Sequence, residues 1–169
     1  NFLFFVNLSN IVRKTKENFL LQTSSKYLFA ENLIIDGERI KIKEVSNFQN
    51  TDENAINICF TTIQGLHSDM WAVKENSISF GECKDKKVVL ISDEAHDLSV
   101  STKKQEKEEQ ENNKHWEYTV GRIFGANTDN VLLEFTATCD VKNVDILAKY
   151  ENKIIFDYPL AKFREDLYS

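Results

Sequence analysis

Five short apolar runs punctuate the chain: Phe2 to Val6, Ile56 to Phe60, Val88 to Ile91, Val131 to Phe135 and Ile154 to Phe156. They constrain the fold more than any other feature. Short runs that do not alternate with exposed polar residues suit strands covered on both faces, as in a parallel sheet. The intervals between them are long enough for the crossover that parallel pairing needs. The expectation is an α/β fold, a mostly parallel sheet with helices on both faces. Helix signals follow two of the runs. Ser9 is placed to cap a helix from Asn10 to about Leu21, and Asp140 to cap one carrying Val141, Val144, Leu147 and Ala148 on one face. Between Leu33-Ile34-Ile35 and Ile40-Lys41-Ile42, Asp36-Gly37 predicts a small hairpin, an excursion from the main sheet.

With 169 residues, 41% hydrophobic and 28% charged, the chain has the material for one globular domain. Its formal charge of -6 argues against a wholly basic nucleic-acid binder but leaves room for a local phosphate-gripping groove. Cys59, Cys83 and Cys139 are odd in number and form no CxxC pair, so neither a disulfide framework nor a zinc site is expected. No apolar run approaches the roughly 20 residues that cross a bilayer, and no signal peptide opens the chain. A cytoplasmic protein with no membrane partner is expected. Because it opens on Asn1 and Met70 is its single methionine, the chain reads as a stretch of a longer protein. Lys103 to His115 is polar with balanced lysines and glutamates, which predicts a solvated helix or a mobile insertion over about 99–115. Pro159 marks an exit from the last predicted strand, and 160–169 reads as the start of a linker.

The chemistry concentrates at strand ends. Val88-Val89-Leu90-Ile91-Ser92 runs directly into Asp93-Glu94-Ala95-His96. A buried strand thus delivers two acids at its carboxyl end, where open α/β sheets bind ligands. This has the form of a Walker B strand: Asp93 is suited to hold Mg²⁺, usually through water. Glu94 is suited to orient and deprotonate the water that attacks a γ-phosphate. His96 can bond to a neighbouring element and report the nucleotide state. After the Val131 run come Thr136-Ala137-Thr138, small hydroxyl residues at the end of a strand expected to neighbour the first. Val6-Asn7-Leu8-Ser9-Asn10, followed by Ile11-Val12-Arg13, and Phe60-Thr61-Thr62-Ile63-Gln64 are two further strand ends rich in hydroxyls and amides. Such groups suit phosphate contacts, and they suit ordinary helix capping equally well. The histidines His67, His96 and His115 share no metal-ligand spacing, and Trp71 and Trp116 read as isolated packing aromatics.

The whole chain resembles the motor subunit of type III restriction enzymes, within the DEAH-box helicases of superfamily two. The strings that carry the resemblance are FLFFVNLSNIVRKTKENF, FTTIQGLHSD, VVLISDEAHDLS, LLEFTATCD and KIIFDYPLAKFREDLYS. The short boxes occur throughout superfamily two, and the long flanking strings favour this family. The resemblance implies a RecA-like fold for residues 1–159, as part of a first motor domain. It implies ATP and Mg²⁺ as cofactors, with Asp93 and Glu94 catalytic and His96, Thr136 and Thr138 coupling nucleotide state to movement. It implies Asn7, Ser9, Arg13, Thr61, Thr62 and Gln64 as nucleic-acid contacts. Its implied partners are double-stranded DNA, a methyltransferase specificity subunit, and a second motor domain and nuclease domain of the same protein.

Two departures qualify that picture. Asp97 stands where members often carry a second histidine after the DEAH box. No GxxxxGK[ST] occurs, because none of Gly37, Gly65, Gly81, Gly121 and Gly125 precedes a Lys-Ser or Lys-Thr pair. The P-loop that cradles the β- and γ-phosphates is therefore absent from this chain, and the RecA-like domain reads as partial. Two other readings fit the same residues: a DEAH-box DNA or RNA helicase outside restriction, and a degenerate motor domain acting as a non-catalytic scaffold.

Overall fold

In a computed structural model of the chain, residues 1–72, 74–93, 107–137 and 144–166 are described. They fall into two compact units, Asn1–Ala137 and Thr138–Ser169. The apolar run Phe2–Val6 is strand β1, and every residue in it after Phe2 is buried. β1 is central because both its faces are apolar. Leu3 and Phe5 point into one core, Phe4 and Val6 into another.

The strands that flank it come from the other apolar runs. After β1 come helix α1 (Ser9–Leu20), the short strands β2 (Ile34–Ile35) and β3 (Glu38–Arg39), and strand β4 (Lys41–Glu44). Then follow β5 (Ala55–Thr62), helices α2 (Ile63–Trp71) and α3 (Phe80–Asp85), β6 (Val89–Ser92), α4 (Lys107–Phe124) and β7 (Val131–Glu134). The main sheet has the order β4-β5-β1-β6-β7. All four of its pairings are parallel, with Phe2 opposite both Ile58 and Val89, and Ser92 opposite Glu134. α1 covers one face through Ile11, Val12 and Phe19, while α2, α3 and α4 cover the other through Ile63, Leu66, Cys83, Val120 and Ile123. Phe5, Leu66 and Ile123 are fully buried, and each such side chain contributes roughly 1.5–3 kcal/mol. The predicted α/β architecture, with a parallel sheet and helices on both faces, is the observed one.

Asn130 locks the amino end of this arrangement. Its Oδ1 accepts from Val88 N at 2.8 Å, and its Nδ2 donates to Cys83 O at 3.1 Å and Ile123 O at 3.0 Å. One buried amide thereby ties α3, α4 and the entry of β6 to the entry of β7, with three of its bonding positions filled.

Several expectations are corrected. The hairpin forms where Asp36-Gly37 places it, with φ of 53° and 85°, and Ile34 pairs with Arg39. Its second arm ends early, however. Lys41 to Glu44 leaves the hairpin and becomes β4, the edge of the main sheet, so this segment is not simply an excursion. An edge strand needs only one apolar face, and Ile42 between exposed Lys41 and Lys43 supplies it. Ser9 does not cap α1. It is the first helical residue, Leu8 occupies the cap position, and no side chain bonds there. The 107–115 part of the polar segment lies within α4, whereas 99–106 lies outside the described residues.

The second unit holds helices α5 (Val144–Tyr150) and α6 (Leu160–Glu165). The run Ile154 to Phe156 is not a strand: Ile155 and Phe156 are 90% and 80% exposed, and no described residue of this unit forms a strand for them to pair with. Pro159 does not follow a strand but caps α6, where its fixed φ suits the start of a helix. Asp140, the predicted cap of the preceding helix, lies outside the described residues. Among the described residues, no helix is long and apolar enough to cross a membrane.

Candidate functional site

Because every strand of the main sheet runs the same way, all five carboxyl ends lie along one edge. That edge collects the described candidate residues. β1 ends into Asn7, β5 ends on Thr61 and Thr62, β6 delivers Asp93, and β7 runs out through Phe135 to Thr136. Glu94, His96 and Thr138 lie outside the described residues.

The Ser92–Asp93 peptide is held from both sides. Its N–H donates to Phe5 O of β1 at 3.3 Å, and on the other side Phe135 N donates to Ser92 O at 2.8 Å. The ladder between β6 and β7 thus continues one residue beyond β7, to the adjacent strand ends from which Asp93 and Thr136 emerge. Asp93 is partly exposed, a hard oxygen donor at the open end of a buried strand, and such a carboxylate fits Mg²⁺. Below it, Ser92 is fully buried, and its Oγ has no hydrogen-bond partner among the described residues. The orphaned hydroxyl is unusual, since buried polar groups nearly always find partners. Glu134 stands opposite it in register, two residues before Thr136.

The other candidates cluster one and two strands away. Val6 is in register with Thr62, so Asn7 and the threonine pair share neighbouring strand ends. Thr62 Oγ1 accepts from Gly65 N at 3.1 Å and caps α2, while Thr61 Oγ1 donates to Thr62 O at 3.2 Å. Gln64 is exposed in the first turn of α2, and Ser9 is exposed in the first turn of α1. Arg13 lies one turn further along α1, paired with Glu17 at 2.6 Å on the exposed surface. Beside Thr61 opens a cavity of about 460 Å³ that also meets Glu44, Ser46, Asp69 and Asn76. Its two carboxylates are offset by lysines, Glu44 by Lys16 at 2.5 Å and Asp69 by Lys74 at 3.1 Å.

Away from this edge, polar groups serve packing. Trp71 is not isolated. It stacks on Tyr118, lies under the Arg122 guanidinium at 5.0 Å, and donates Nε1–H to Thr119 Oγ1 at 3.1 Å. His67 Nδ1 meets the same hydroxyl at 2.8 Å, and Thr119 donates to His115 O at 3.0 Å. Cys59 and Cys83 are buried free thiols, each pushed up to about 12 chiefly by burial, and neither is a nucleophile at neutral pH. Among the described residues no group of three or more His, Cys, Asp or Glu converges on a metal position.

Two features escape a reading of the sequence alone. Ser92 looks like the last residue of an apolar strand, and only its burial in the fold shows its hydroxyl sealed just before Asp93. Gly65 gives a faint signal, a glycine just after a hydroxyl-rich strand end. Its meaning depends on what surrounds it.

The chain matches the family described as "Type III restriction enzyme, res subunit" over residues 1–141. It is 37% identical, over 187 aligned positions, to a protein of Haemophilus influenzae described as "Probable type III restriction-modification enzyme HindVIP Res subunit". That alignment covers all of this chain and 36% of the relative, so the chain spans about a third of the relative's length. No solved structure matches.

Proposed function

This chain belongs to the family of type III restriction enzyme Res subunits, and from that premise we propose that its carboxyl edge is part of the ATP-hydrolysing and DNA-coupling site of a helicase-like motor. The observation that carries this reading is that Asp93 and Thr136 leave the ends of adjacent parallel strands, which the Phe135–Ser92 hydrogen bond of 2.8 Å holds together. A metal-holding acid and a hydroxyl relay must sit at neighbouring strand ends if one is to sense the other.

In this proposal Asp93 holds Mg²⁺, which when bound neutralises the charge of the nucleotide phosphates. Glu94, next in the chain, orients and deprotonates the attacking water. Thr136 and Thr138, with His96, bond to the acidic turn and pass its state along β7. Asn7, Ser9, Thr61, Thr62 and Gln64 bind the phosphates of one DNA strand, with Arg13 behind them. Such contacts fix the position of the strand and read no bases. The chain works as part of a first motor domain, in the cytoplasm, on double-stranded DNA. Its methyltransferase partner recognises the site, and a nuclease domain elsewhere in the protein cuts.

The test is Asp93→Asn in the parent enzyme, with ATP hydrolysis measured across a Mg²⁺ titration, with and without duplex DNA. The neutral amide is a poorer metal ligand, so hydrolysis is expected to fall at least roughly 10²-fold. Hydrolysis like the parent's would remove Asp93 from the site. A parent protein that binds DNA without hydrolysing ATP at all would favour a scaffold instead.

A further inference from the structure

We infer that Gly65 is a positioning residue for the hydroxyl pair Thr61 and Thr62, an inference that rests on reading those threonines as DNA-backbone contacts. Glycine is a poor choice inside a helix, because it gives up the most backbone freedom on folding and packs nothing. Gly65 is the third residue of the nine-residue helix α2, and its φ is not in the left-handed region that would demand glycine. Space is what demands it. A Cβ built there would lie 2.9 Å from Thr61 Oγ1 and 3.2 Å from Thr62 Oγ1. The closer distance is shorter than ordinary packing allows.

The contrast with the other helical glycines supports this. A Cβ on Gly121 of α4 meets nothing within 4 Å, and one on Gly81 of α3 meets only Ser79 Oγ at 3.8 Å. At position 65 alone among these three does the missing side chain make room for two hydroxyls. Both hydroxyls are also anchored there, Thr62 Oγ1 by the Gly65 N–H and Thr61 Oγ1 by the Thr62 carbonyl. The bare first turn of α2 thus lets two adjacent side chains from the end of β5 lie against it, both partly exposed at the edge where a phosphate backbone would run. An alanine would swing the Thr61 side chain away or push the helix start off the strand end.

The experiment compares Gly65→Ala, Thr61→Ala, the double variant and the control Gly121→Ala in the parent enzyme. The duplex-DNA dependence of ATP hydrolysis gives KM for DNA separately from kcat. Urea midpoints of the full chain are measured alongside. Gly65→Ala is expected to raise KM for DNA roughly fivefold, the effect of about one lost hydrogen bond, and Gly121→Ala to leave it unchanged. Added to Thr61→Ala, Gly65→Ala is expected to raise KM by less than it does in the parent, through Thr62 alone. Its lowering of the urea midpoint is expected to be smaller where the Thr61 hydroxyl is gone, since only the 3.2 Å approach to Thr62 Oγ1 then remains. A parent-like KM for Gly65→Ala while Thr61→Ala raises it would overturn the positioning role. A parent-like KM for Thr61→Ala would instead overturn the DNA reading of Thr61, and the positioning role with it.

Discussion

Asn130 and Ser92 sit at opposite ends of the β6–β7 pair and use their hydrogen-bonding capacity in opposite ways. Asn130, at the amino end, spends it on Val88, Cys83 and Ile123, all within the chain. Thr119 under α2 is the same kind of group, with its hydroxyl shared among His67, Trp71 and His115. Ser92, at the carboxyl end, is just as buried, and its hydroxyl has no partner among the described residues. Burial alone therefore does not tell whether a polar group is bonded. What differs between these two is whether the described fold has already used the group's bonds, and Ser92, the unsatisfied one, directly precedes Asp93.

The most damaging change should be Glu94→Gln in the parent enzyme, which keeps the side chain's shape and removes the proposed base. ATP hydrolysis is expected to fall by roughly 10²–10⁴, while nucleotide affinity and DNA binding stay near normal in titrations. Hydrolysis at the parent's rate would break the catalytic side of the comparison. The double variant Thr136→Ala, Thr138→Ala comes next. It should hydrolyse ATP at the basal rate and lose DNA stimulation and DNA-dependent translocation. Loss of basal hydrolysis with the DNA response intact would show that these hydroxyls serve the chemistry instead.

At the saturated end the effects belong to stability. Asn130→Ala strands a buried N–H and two carbonyls, and urea unfolding is expected to show a loss of about 3 kcal/mol. Thr119→Val strands the Trp71 N–H and is expected to cost about 1–2 kcal/mol in the same assay. The smallest change sharpens the comparison most. Ser92→Ala should leave stability unchanged or raise it by up to about 1 kcal/mol, since it removes a hydroxyl that the described structure leaves unsatisfied. A loss as large as that of Thr119→Val would mean that the Ser92 hydroxyl is bonded in solution and that the two ends are alike.

The sequence exposed the central strands because burial on both faces leaves an unmistakable apolar run, as in Phe2 to Val6. It exposed the hairpin because Asp36-Gly37 meets a left-handed requirement that few other pairs meet. It concealed β4 because Lys41-Ile42-Lys43-Glu44 has one apolar residue, enough at an edge and too little to notice. It suggested a strand at Ile154 to Phe156 because apolar content says nothing about whether a neighbouring strand is available. Ser9 looked like a cap for its chemistry, while the chain entered the helix one residue earlier. For the candidate site, Asp93 and Thr136 were legible as strand-end residues, and the register that joins them was not. Gly65 was hidden for a further reason: its role is an unfilled volume, and a volume exists only once β5 and α2 are packed together.

The strand order also has a consequence for how the chain is made. β1 is central, yet its two partners, β5 and β6, arrive much later in the sequence. At roughly 5–20 residues per second, the FLFFV segment leaves the ribosome several seconds before Ile58 can pair with Phe2, and longer still before Val89 can. In that interval the edges that β5 and β6 will occupy are open. A short, uncharged, aromatic segment with two free edges is the kind that pairs with copies of itself. Nascent chains of this protein are therefore most vulnerable to aggregation before β5 is complete. Chaperone binding during synthesis should concentrate on Phe2–Val6 and decline once Thr62 has emerged.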